Sequence, residues 1–389
     1  MRRLPIILST DIGSDVDDAL ALLMMLNHPE MNLTGVYTVN GDVDSRSCIA
    51  KQMINLSGKE IAVARGEAQP LFSHSSPYSF FENWLVDESF FDDEQSKKAK
   101  KDVLKTLNEV GIILRGVEHL AEQLTAKKSI VFSIAPLTNL AKLIQEYPSA
   151  VQGIAHLYVM GSRLSGDVEH NFRYDIKAAQ TVLASDIPTT FIPGDLCSRY
   201  RLPAEQLKQL NSPVGRYVKR MAESFLAVHT AQNFICRSLH DESLEKIIRE
   251  MAHPDISIQN YGAKKCLRLD RQKNILLNAI RDVESAAFNG NAYFSEYADI
   301  ITLLKDPDNR FRFGNLISIE LQKLIPDSLS IADLYAPYCY LHPEHLITEK
   351  ISLEVDDVGR TIFTEGDKHT IVVDLDFDYF REFIKTYLY

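Results

Sequence analysis

Short apolar runs alternate with helical patterns along the first 200 residues of the chain. The runs are rich in β-branched residues and lack a polar alternation, which is typical of strands buried on both faces. They are Leu4–Leu8, Leu33–Val39, Ile61–Ala64, Ser129–Ile134, His156–Met160 and Thr189–Ile192. Between them, apolar positions recur at a helical period over Asp17–Leu26, Arg46–Leu56, Lys101–Leu124, Leu137–Gln145 and Ile176–Ala184. This order predicts an α/β fold with a mostly parallel open sheet and helices on both faces.

Beyond Pro203 the pattern becomes mainly helical before strands return near the end. Helical periodicity covers Gln206–Leu210, Val214–Ala231, Glu242–Met251, Gln272–Phe288 and Leu316–Leu324. Lys350–Val373 alternates around Asp356–Gly359, which predicts a small C-terminal strand pair, and a helix is predicted over Tyr379–Leu388. Phe72–Lys101 has no period and predicts a long loop. We expect one domain over residues 1–389, with a mainly helical segment at 205–325.

Composition and charge argue against several classes of protein, namely nucleic-acid-binding, membrane and secreted proteins. The 389 residues carry 42 Lys+Arg and 53 Asp+Glu, a formal net charge of −11. No basic run is long enough to suggest binding to a nucleic-acid backbone, and no apolar run approaches the length of about 18 residues that a membrane span needs. The apolar stretch near the N-terminus is too short for a secretory signal. The five cysteines contain no CxxC pair, which fits a reducing compartment. We therefore expect a cytoplasmic protein without nucleic-acid or membrane partners.

Carboxylates crowd the segment that follows the first predicted strand. Four of them fall within eight residues: Asp11, Asp15, Asp17 and Asp18. A helix N-terminus accommodates one or two acidic side chains, but four repel one another unless a cation neutralises them. Oxygen ligands at this density suit Ca²⁺ or Mg²⁺, and ligands of parallel sheets bind at the carboxyl ends of the strands. The segment predicts a metal site, with a solvated acidic helix start as the alternative.

Five motifs in order resemble one family. Ser9–Ala19 resembles DxDxGxDDA, the N-terminal signature of the inosine-uridine preferring nucleoside hydrolases, with two extra residues before the paired Asp. The other four are Tyr37–Asp42 (TTVxGN), Ala64–Leu71 (xxGxxxPL), Ala135–Ala141 (GPLTNLA) and Glu169–Ala179 (EFNFxxDPEAA). The resemblance covers about residues 1–195, and it implies the Rossmann-like architecture of the nucleoside hydrolases.

The family needs one more aspartate from late in the chain, and two candidates are present. His240-Asp241 is similar to the family's HDP signature. Asp333 is followed, at the family's spacing, by its Pro-Glu pair, its VxVE run and its two glycines, whereas Asp241 is not. We favour Asp333. This choice places Ala332 where many members carry an acid histidine, and it implies a helical insertion within about residues 205–325.

The resemblance also implies roles for individual residues. Asp11 would bind Ca²⁺ and act as the general base on the attacking water. The other ligands would be Asp18, Asp333 and the backbone carbonyl of Ile134. Ribose would be bound by Asp17, Asp42, Glu169 and Asn171. For the acid that protonates the leaving group, three histidines are candidates: His240 first, then His74 and His170.

Together these features imply a metal-dependent N-ribohydrolase. It would cleave a ribonucleoside into base and ribose in purine or pyrimidine salvage, as a homodimer or homotetramer. Two departures favour an alternative, a non-catalytic or altered-specificity relative that binds a ribosyl ligand or a protein partner: Ser9 replaces the first Asp of DxD, and Ala332 cannot donate a proton. A phosphatase of the haloacid-dehalogenase type is disfavoured, because Ser9 and Gly13 occupy the positions two before and two after Asp11.

Overall fold

Most strands of the described chain belong to one nine-stranded sheet. The computed structural model describes residues 4–13, 15–71, 107–222, 225 and 328–389. The chain divides into two units, residues 1–222 with 328–389 and residues 223–327. Apart from Phe225, the described residues belong to the first unit. The predicted loop Phe72–Lys101 and the predicted helices between Glu242 and Leu324 lie outside the described residues.

The central strands of the large sheet run parallel. They are β1 (Ile6–Thr10), β2 (Leu33–Thr38), β3 (Ala62–Arg65), β4 (Ile112–Ile113), β5 (Ser129–Ser133), β6 (Ile154–Met160) and β7 (Thr189–Ile192). Their spatial order is β7-β6-β5-β1-β2-β3-β4. In the middle, Ser9 of β1 pairs with Tyr37 of β2 on one side and with Ser133 of β5 on the other. The predicted mostly parallel α/β sheet is confirmed.

Two short strands, β8 (Leu202–Pro203) and β9 (Ser328–Leu329), form a separate antiparallel sheet.

The predicted C-terminal strand pair extends the large sheet. The strands β10 (Leu346–Val355) and β11 (Thr361–Leu375) form an antiparallel hairpin. Because Thr370 and Ile371 of β11 pair in parallel with β7, the hairpin closes one edge of the nine-stranded sheet.

Nine helices with defined bounds accompany the strands in the described residues. They are α1 (Asp17–Asn27), α2 (Val43–Ser57), α3 (Gly116–Ala126), α4 (Thr138–Glu146), α5 (His170–Tyr174), α6 (Ile176–Ala184), α7 (Gly194–Cys197), α8 (Tyr335–Leu341) and α9 (Phe377–Leu388). Residues 213–222 are also helical. Short 3₁₀ turns cover Ala150–Gly153, Ala204–Gln209, Ala332–Leu334 and Pro343–His345. Carboxylates cap four helices by accepting backbone N–H bonds, namely Asp42, Glu169, Asp175 and Asp376.

One predicted helix is interrupted. The pattern over Lys101–Leu124 indicates a single helix, but the described part has helical residues at 107–109, then β4, and then α3 from Gly116. Gly111 adopts a left-handed φ of 77°, which ends the first helical piece. The following Ile112 and Ile113 pair with β3, so these two apolar residues belong to the sheet and not to the apolar face of a helix.

The helices that start after β1, β2 and β5 position the site. Within α1, ten residues from Asp17 to Leu26 are buried, and this helix packs against the 3₁₀ turn Ala332–Leu334 and against α9. The strand ends and helix starts therefore meet at one edge of the sheet, beside the late segment around residue 333. Among the described residues, no helix has the length and apolarity that crossing a bilayer requires.

Candidate metal centre

Three carboxylates from distant parts of the chain meet at the carboxyl end of β1. Asp17 and Asp18 lie in the first turn of α1, and Asp333 lies in the 3₁₀ turn before α8. One oxygen of each lies within 4.8 Å of the others, and all three residues are buried. Within the described ranges, this is the one group of three His, Cys, Asp or Glu side chains at such spacing. Buried oxygen donors this close together form a candidate cation site.

Burial dominates the electrostatics of this cluster. It raises the pKa values of Asp17, Asp18 and Asp333 well above the ordinary range, and repulsion among the carboxylates adds to the effect. Asp15, half-buried nearby, has its pKa raised to about 6, again mainly by burial and also by the charge of Asp11. Without a cation the charged cluster is unfavourable, so the carboxylates hold protons more tightly than free aspartates do.

Thr10, the last residue of β1, holds one of the three carboxylates. Its Oγ1 donates to Oδ1 of Asp18 and accepts the backbone N–H of Ile12 at 3.2 Å. The hydroxyl therefore links the strand end to the start of α1. This bond also favours the ionised form of Asp18, which is the form that binds a metal.

Asp11 is held by a second set of contacts from β2 and α2. Asn40 Nδ2 donates to Asp11 Oδ2 at 3.2 Å. Asn40 has a left-handed φ of 72°, a conformation that asparagine tolerates better than most residues. The carbonyl of Asn40 accepts from Arg46 Nε at 2.7 Å, and Arg46 Nη1 donates to the carbonyls of Asp11 and Ile12. Arg46 is only 1% exposed, so it is a buried cation that fixes the backbone beneath the acidic cluster.

Asn139 joins three neighbouring strand ends. Its Nδ2 donates to the carbonyl of Thr38 at 3.1 Å and to Ser9 Oγ at 3.4 Å, and its Oδ1 accepts from Glu67 N at 2.9 Å. The chain passes so close that a Cβ on Gly66 would lie 2.2 Å from the Thr38 carbonyl oxygen and 2.4 Å from Asn139 Oδ1. Ser9, which departs from the family motif, thus bonds to the amide that holds the strand ends together.

The remaining predicted residues at the ends of β5 and β6 are buried. Ile134 donates its N–H to the carbonyl of Ser9 at 3.0 Å, which places it beside the end of β1. Glu169 caps α5 by accepting from Phe172 N at 3.0 Å, and burial raises its pKa. Asn171 Nδ2 donates to the carbonyl of Met160 at 3.1 Å.

The short helix α7 packs against the 3₁₀ turn that carries Asp333. Burial raises the pKa of its Cys197 thiol well above the usual range, and Cys339, Asp333, Asp17 and Glu169 add to the rise. Gly194, the first residue of α7, lies beside Glu169, because a Cβ at this position would be 3.8 Å from Glu169 Cγ. The helix α7 therefore borders both Glu169 and the turn of Asp333.

Two further expected site residues, Asp42 and His170, lie at helix starts after β2 and β6. Asp42 uses both carboxylate oxygens at the start of α2: Oδ1 accepts from Ser45 N at 3.1 Å and Oδ2 from Ser45 Oγ at 2.7 Å. His170 is exposed in α5. The histidines His74 and His240 lie outside the described residues.

Sequence reasoning missed Thr10, Asn40, Arg46 and Asn139 as parts of this region. Asn40-Gly41 has the composition of an ordinary turn, and Arg46 matches an ordinary helix position. The available signal was the placement of Thr10 and Asn40 directly after strands, where polar side chains face a ligand site in parallel sheets.

Comparisons with known proteins give a family match and a curated relative. Residues 6–258 match the family model described as inosine-uridine preferring nucleoside hydrolase. The chain is 29% identical over 216 residues to a non-specific ribonucleoside hydrolase of Klebsiella pneumoniae, covering 54% of this chain and 67% of that protein.

Solved structures share the fold at low sequence identity. A plant nucleoside hydrolase matches with a TM-score of 0.59 and 13% identity, covering 99% of this chain and 98% of that one. A type III effector, XopQ, described in complex with adenosine diphosphate ribose, matches with a TM-score of 0.53 and 16% identity, covering 99% and 92%. By its motifs, its sheet and the match over most of its length, the chain belongs to the inosine-uridine preferring nucleoside hydrolase family.

Proposed function

We propose that the protein is a calcium-dependent N-ribohydrolase, which cleaves the N-glycosidic bond of a ribonucleoside to give free base and ribose. The observation that carries this proposal is the buried group of Asp17, Asp18 and Asp333 at the carboxyl end of β1. It supplies closely spaced oxygen donors in the part of the fold where parallel sheets bind ligands. The curated relative from Klebsiella is a ribonucleoside hydrolase, which supports the same reaction class.

The donor set fits calcium. All donors are hard oxygens, and the raised pKa values indicate negative charge that a divalent cation would offset. Asp18 and Asp333 of this group would hold the ion together with the carbonyl of Ile134 and with Asp11, which is not a member of the group. Asp17, the third member, would accept a ribose hydroxyl. When bound, the cation lowers the pKa of a water ligand and orients the ribose diol.

Asp11 would take the proton from the attacking water. Its Oδ2 accepts from Asn40, and its backbone carbonyl accepts from Arg46, so the carboxylate is fixed before substrate arrives. The water oxygen attacks the anomeric carbon through an oxocarbenium-like transition state, while the C–N bond electrons pass to the base. Glu169 and Asn171 would bind the remaining sugar hydroxyls, and Asp42, which caps α2, would stand at the edge of the pocket.

The leaving base needs a proton as well. Ala332, exposed in part at the start of its 3₁₀ turn, has no side chain that can supply one. We assign this role to His240, which lies outside the described residues. We further propose that the enzyme acts in purine or pyrimidine salvage in the cytoplasm, as a homodimer or homotetramer. We also propose that residues 1–389 form a single nucleoside hydrolase-like domain, and most of the second unit, residues 223–327, falls within the helical insertion expected at 205–325.

A ribosyl-binding protein without catalysis is the second candidate. Ala332 in place of the family's histidine and Ser9 in place of its first aspartate favour it. The fold likeness to XopQ, described in complex with adenosine diphosphate ribose, is consistent with a binding role on this fold.

Release of ribose separates the two candidates. Calcium-loaded full-length protein is incubated with inosine, uridine and nicotinamide riboside, with and without EDTA, and reducing sugar is measured. We expect release that EDTA stops and that Asp11→Ala abolishes. The matched control is Asp374→Ala, which removes a carboxylate paired with Arg199 at the surface, and it should retain activity. If the loaded protein releases ribose from no substrate in a broad nucleoside panel, the hydrolase proposal is wrong.

A further inference from the structure

A turn with unusual polar groups follows β6. In Gly161-Ser162-Arg163, Ser162 adopts a left-handed φ of 77° and is fully buried. Its carbonyl accepts from Gly194 N at 3.0 Å, which fastens the turn to the start of α7. Asp195 reinforces the attachment, because its carboxylate accepts the backbone N–H groups of the two residues after Arg163 at 3.0 and 2.9 Å. The turn is thus held in place by backbone bonds that leave its side chains uncommitted.

Two side-chain donors in this turn have no acceptor. Ser162 Oγ and Arg163 Nε are buried atoms without a hydrogen-bond partner among the described residues. Buried hydrogen-bond donors are nearly always paired in folded proteins. Two neighbouring donors without a partner therefore indicate that an acceptor is missing at this turn. Because one of the two belongs to a guanidinium, the acceptor that fits best is an anion with several oxygens.

Arg163 faces the same space as Glu169. Gly194 has no side chain, and a Cβ at this position would lie 3.8 Å from Arg163 Nε, 3.8 Å from Glu169 Cγ and 3.7 Å from Met160 Cε. Arg163 and Glu169 therefore both line the space that a side chain at position 194 would occupy. On the other side, α7, which begins at Gly194, packs against the 3₁₀ turn that carries Asp333 of the carboxylate cluster. Along the sheet edge the order is the carboxylate cluster, Glu169 and then Arg163.

We propose that Arg163 and Ser162 bind the 5′-phosphate of a ribonucleotide, so that the preferred substrate is a ribonucleoside 5′-monophosphate. The proposal rests on the hydrolase function above, because it uses the same ribose orientation. A ribose whose 2′,3′-diol lies at the carboxylate cluster directs its 5′ carbon to the opposite side of the ring, towards Glu169 and Asn171. A phosphate on that carbon reaches the next group along the edge, the guanidinium. The charge of Arg163 also acts on Glu169, and the Nε of its guanidinium is the donor that a phosphate oxygen would pair.

The reaction remains a hydrolysis and needs only water as co-reactant. The water adds its hydroxyl to C1′ and gives up one proton. The C1′–N bond breaks, its electron pair stays on the base nitrogen, and that nitrogen gains a proton. The products are the free base and ribose 5-phosphate.

The test compares substrates that differ only in the phosphate. Values of kcat/KM are measured for uridine against uridine 5′-monophosphate and for inosine against inosine 5′-monophosphate, using calcium-loaded full-length protein. Binding of ribose 5-phosphate and of ribose is measured separately by calorimetry, which does not depend on turnover. The variants are Arg163→Gln and Arg163→Lys. The control is Arg115→Gln, because Arg115 is an exposed arginine that follows β4, the outermost strand of the sheet and five strands away from β6, and it pairs only with Glu118 among the described residues.

We expect the wild-type protein to favour the monophosphates. Arg163→Gln should lower kcat/KM for the monophosphate relative to the nucleoside by about 10- to 100-fold, the usual effect of losing a hydrogen bond to a charged group. Arg163→Lys should recover part of the preference, and Arg115→Gln should leave it unchanged. Ribose 5-phosphate should bind more tightly than ribose, and Arg163→Gln should remove the difference.

Other outcomes separate the two proposals. If nucleosides are cleaved as well as or better than their monophosphates and ribose 5-phosphate binds no better than ribose, the phosphate site is wrong while the hydrolase function stands. If Arg163→Gln weakens both substrates equally, Arg163 only balances the charge of Glu169, and the phosphate site is again wrong. If nothing is cleaved but ribose 5-phosphate binds through Arg163, the hydrolase function fails and the anion site remains.

Discussion

Replacement of Asp333 by asparagine should stabilise the metal-free protein and remove its response to calcium. The carboxylate oxygens of Asp17, Asp18 and Asp333 lie within 4.8 Å of one another. At an effective dielectric constant of about 20, two unit charges at this distance repel by about 3.5 kcal/mol. Asp333→Asn removes two of the three pairs, which is a repulsion of about 7 kcal/mol when all three carboxylates are ionised.

Protonation limits the measurable gain. The pKa values of the three carboxylates are raised in the folded protein, so their contribution to stability is greatest below the unfolded pKa and is lost as pH rises through the folded pKa values. Proton uptake therefore already relieves part of the repulsion in the metal-free wild type. We expect Asp333→Asn to raise the free energy of unfolding at pH 8 in EDTA by less than the full repulsion of about 7 kcal/mol, with a smaller gain at pH 5.

Thermal unfolding with EDTA and with millimolar calcium measures both effects. Calcium should raise the Tm of the wild type and change that of Asp333→Asn much less, because the variant has lost a ligand. Asp241→Asn, the other late aspartate, should keep the calcium response.

A matched control is Asp175→Asn. Asp175 is also a buried carboxylate, but its oxygens accept from Leu71 N, Thr138 Oγ1 and Ala178 N at 2.8–3.0 Å. Its replacement should therefore lower the Tm in both conditions. The reasoning is refuted if Asp333→Asn is less stable than wild type in EDTA at pH 8 or if it retains the full calcium response.

Three further predictions concern the same sheet edge. Calcium affinity should fall as pH is lowered from 8 towards 6, because protons compete for carboxylates with raised pKa values, among them Asp15 at about 6; calorimetry across this range checks it, and a flat profile would contradict it. Arg46→Met should lower the free energy of unfolding by about 3 kcal/mol or more, since three buried carbonyls lose a charged donor; urea unfolding measures this, and a loss below about 1 kcal/mol would argue against it. Gly66→Ala should cost about 1–3 kcal/mol because its Cβ would overlap the Thr38 carbonyl, and an unchanged unfolding midpoint would show that the contact can relax.

The sheet was predictable from the sequence because a parallel strand buried on both faces is a continuous apolar run. β1, β5 and β7 are buried at every position, and each was visible as such a run. The two-residue β4 was not, because Ile112 and Ile113 fit the helical spacing around them equally well. Only the left-handed backbone at Gly111 and the pairing with β3 distinguish the two.

The carboxylate cluster was only partly predictable. The sequence shows Asp17 and Asp18 within a short acidic segment, and the spacing of later motifs pointed to Asp333, which the structure places beside them. The buried arginine that holds the neighbouring backbone could not be predicted. A buried arginine runs against the ordinary preference of this residue for the surface, so no local pattern distinguishes Arg46 from a solvated helix residue. Asp42 matches a ligand by motif position and its contacts to Ser45 also cap a helix, so its role at the ribose stays a prediction.

The buried Arg46 has a consequence for how the protein exchanges its cation. Because the guanidinium binds the carbonyls of Asp11, Ile12 and Asn40, the backbone of this region has an internal positive charge of its own. The loop that carries the acidic side chains is therefore already shaped before an ion arrives, and an arriving ion has only side chains to rearrange. Chelation should remove the metal reversibly from a protein that stays folded, and reloading should need no refolding step.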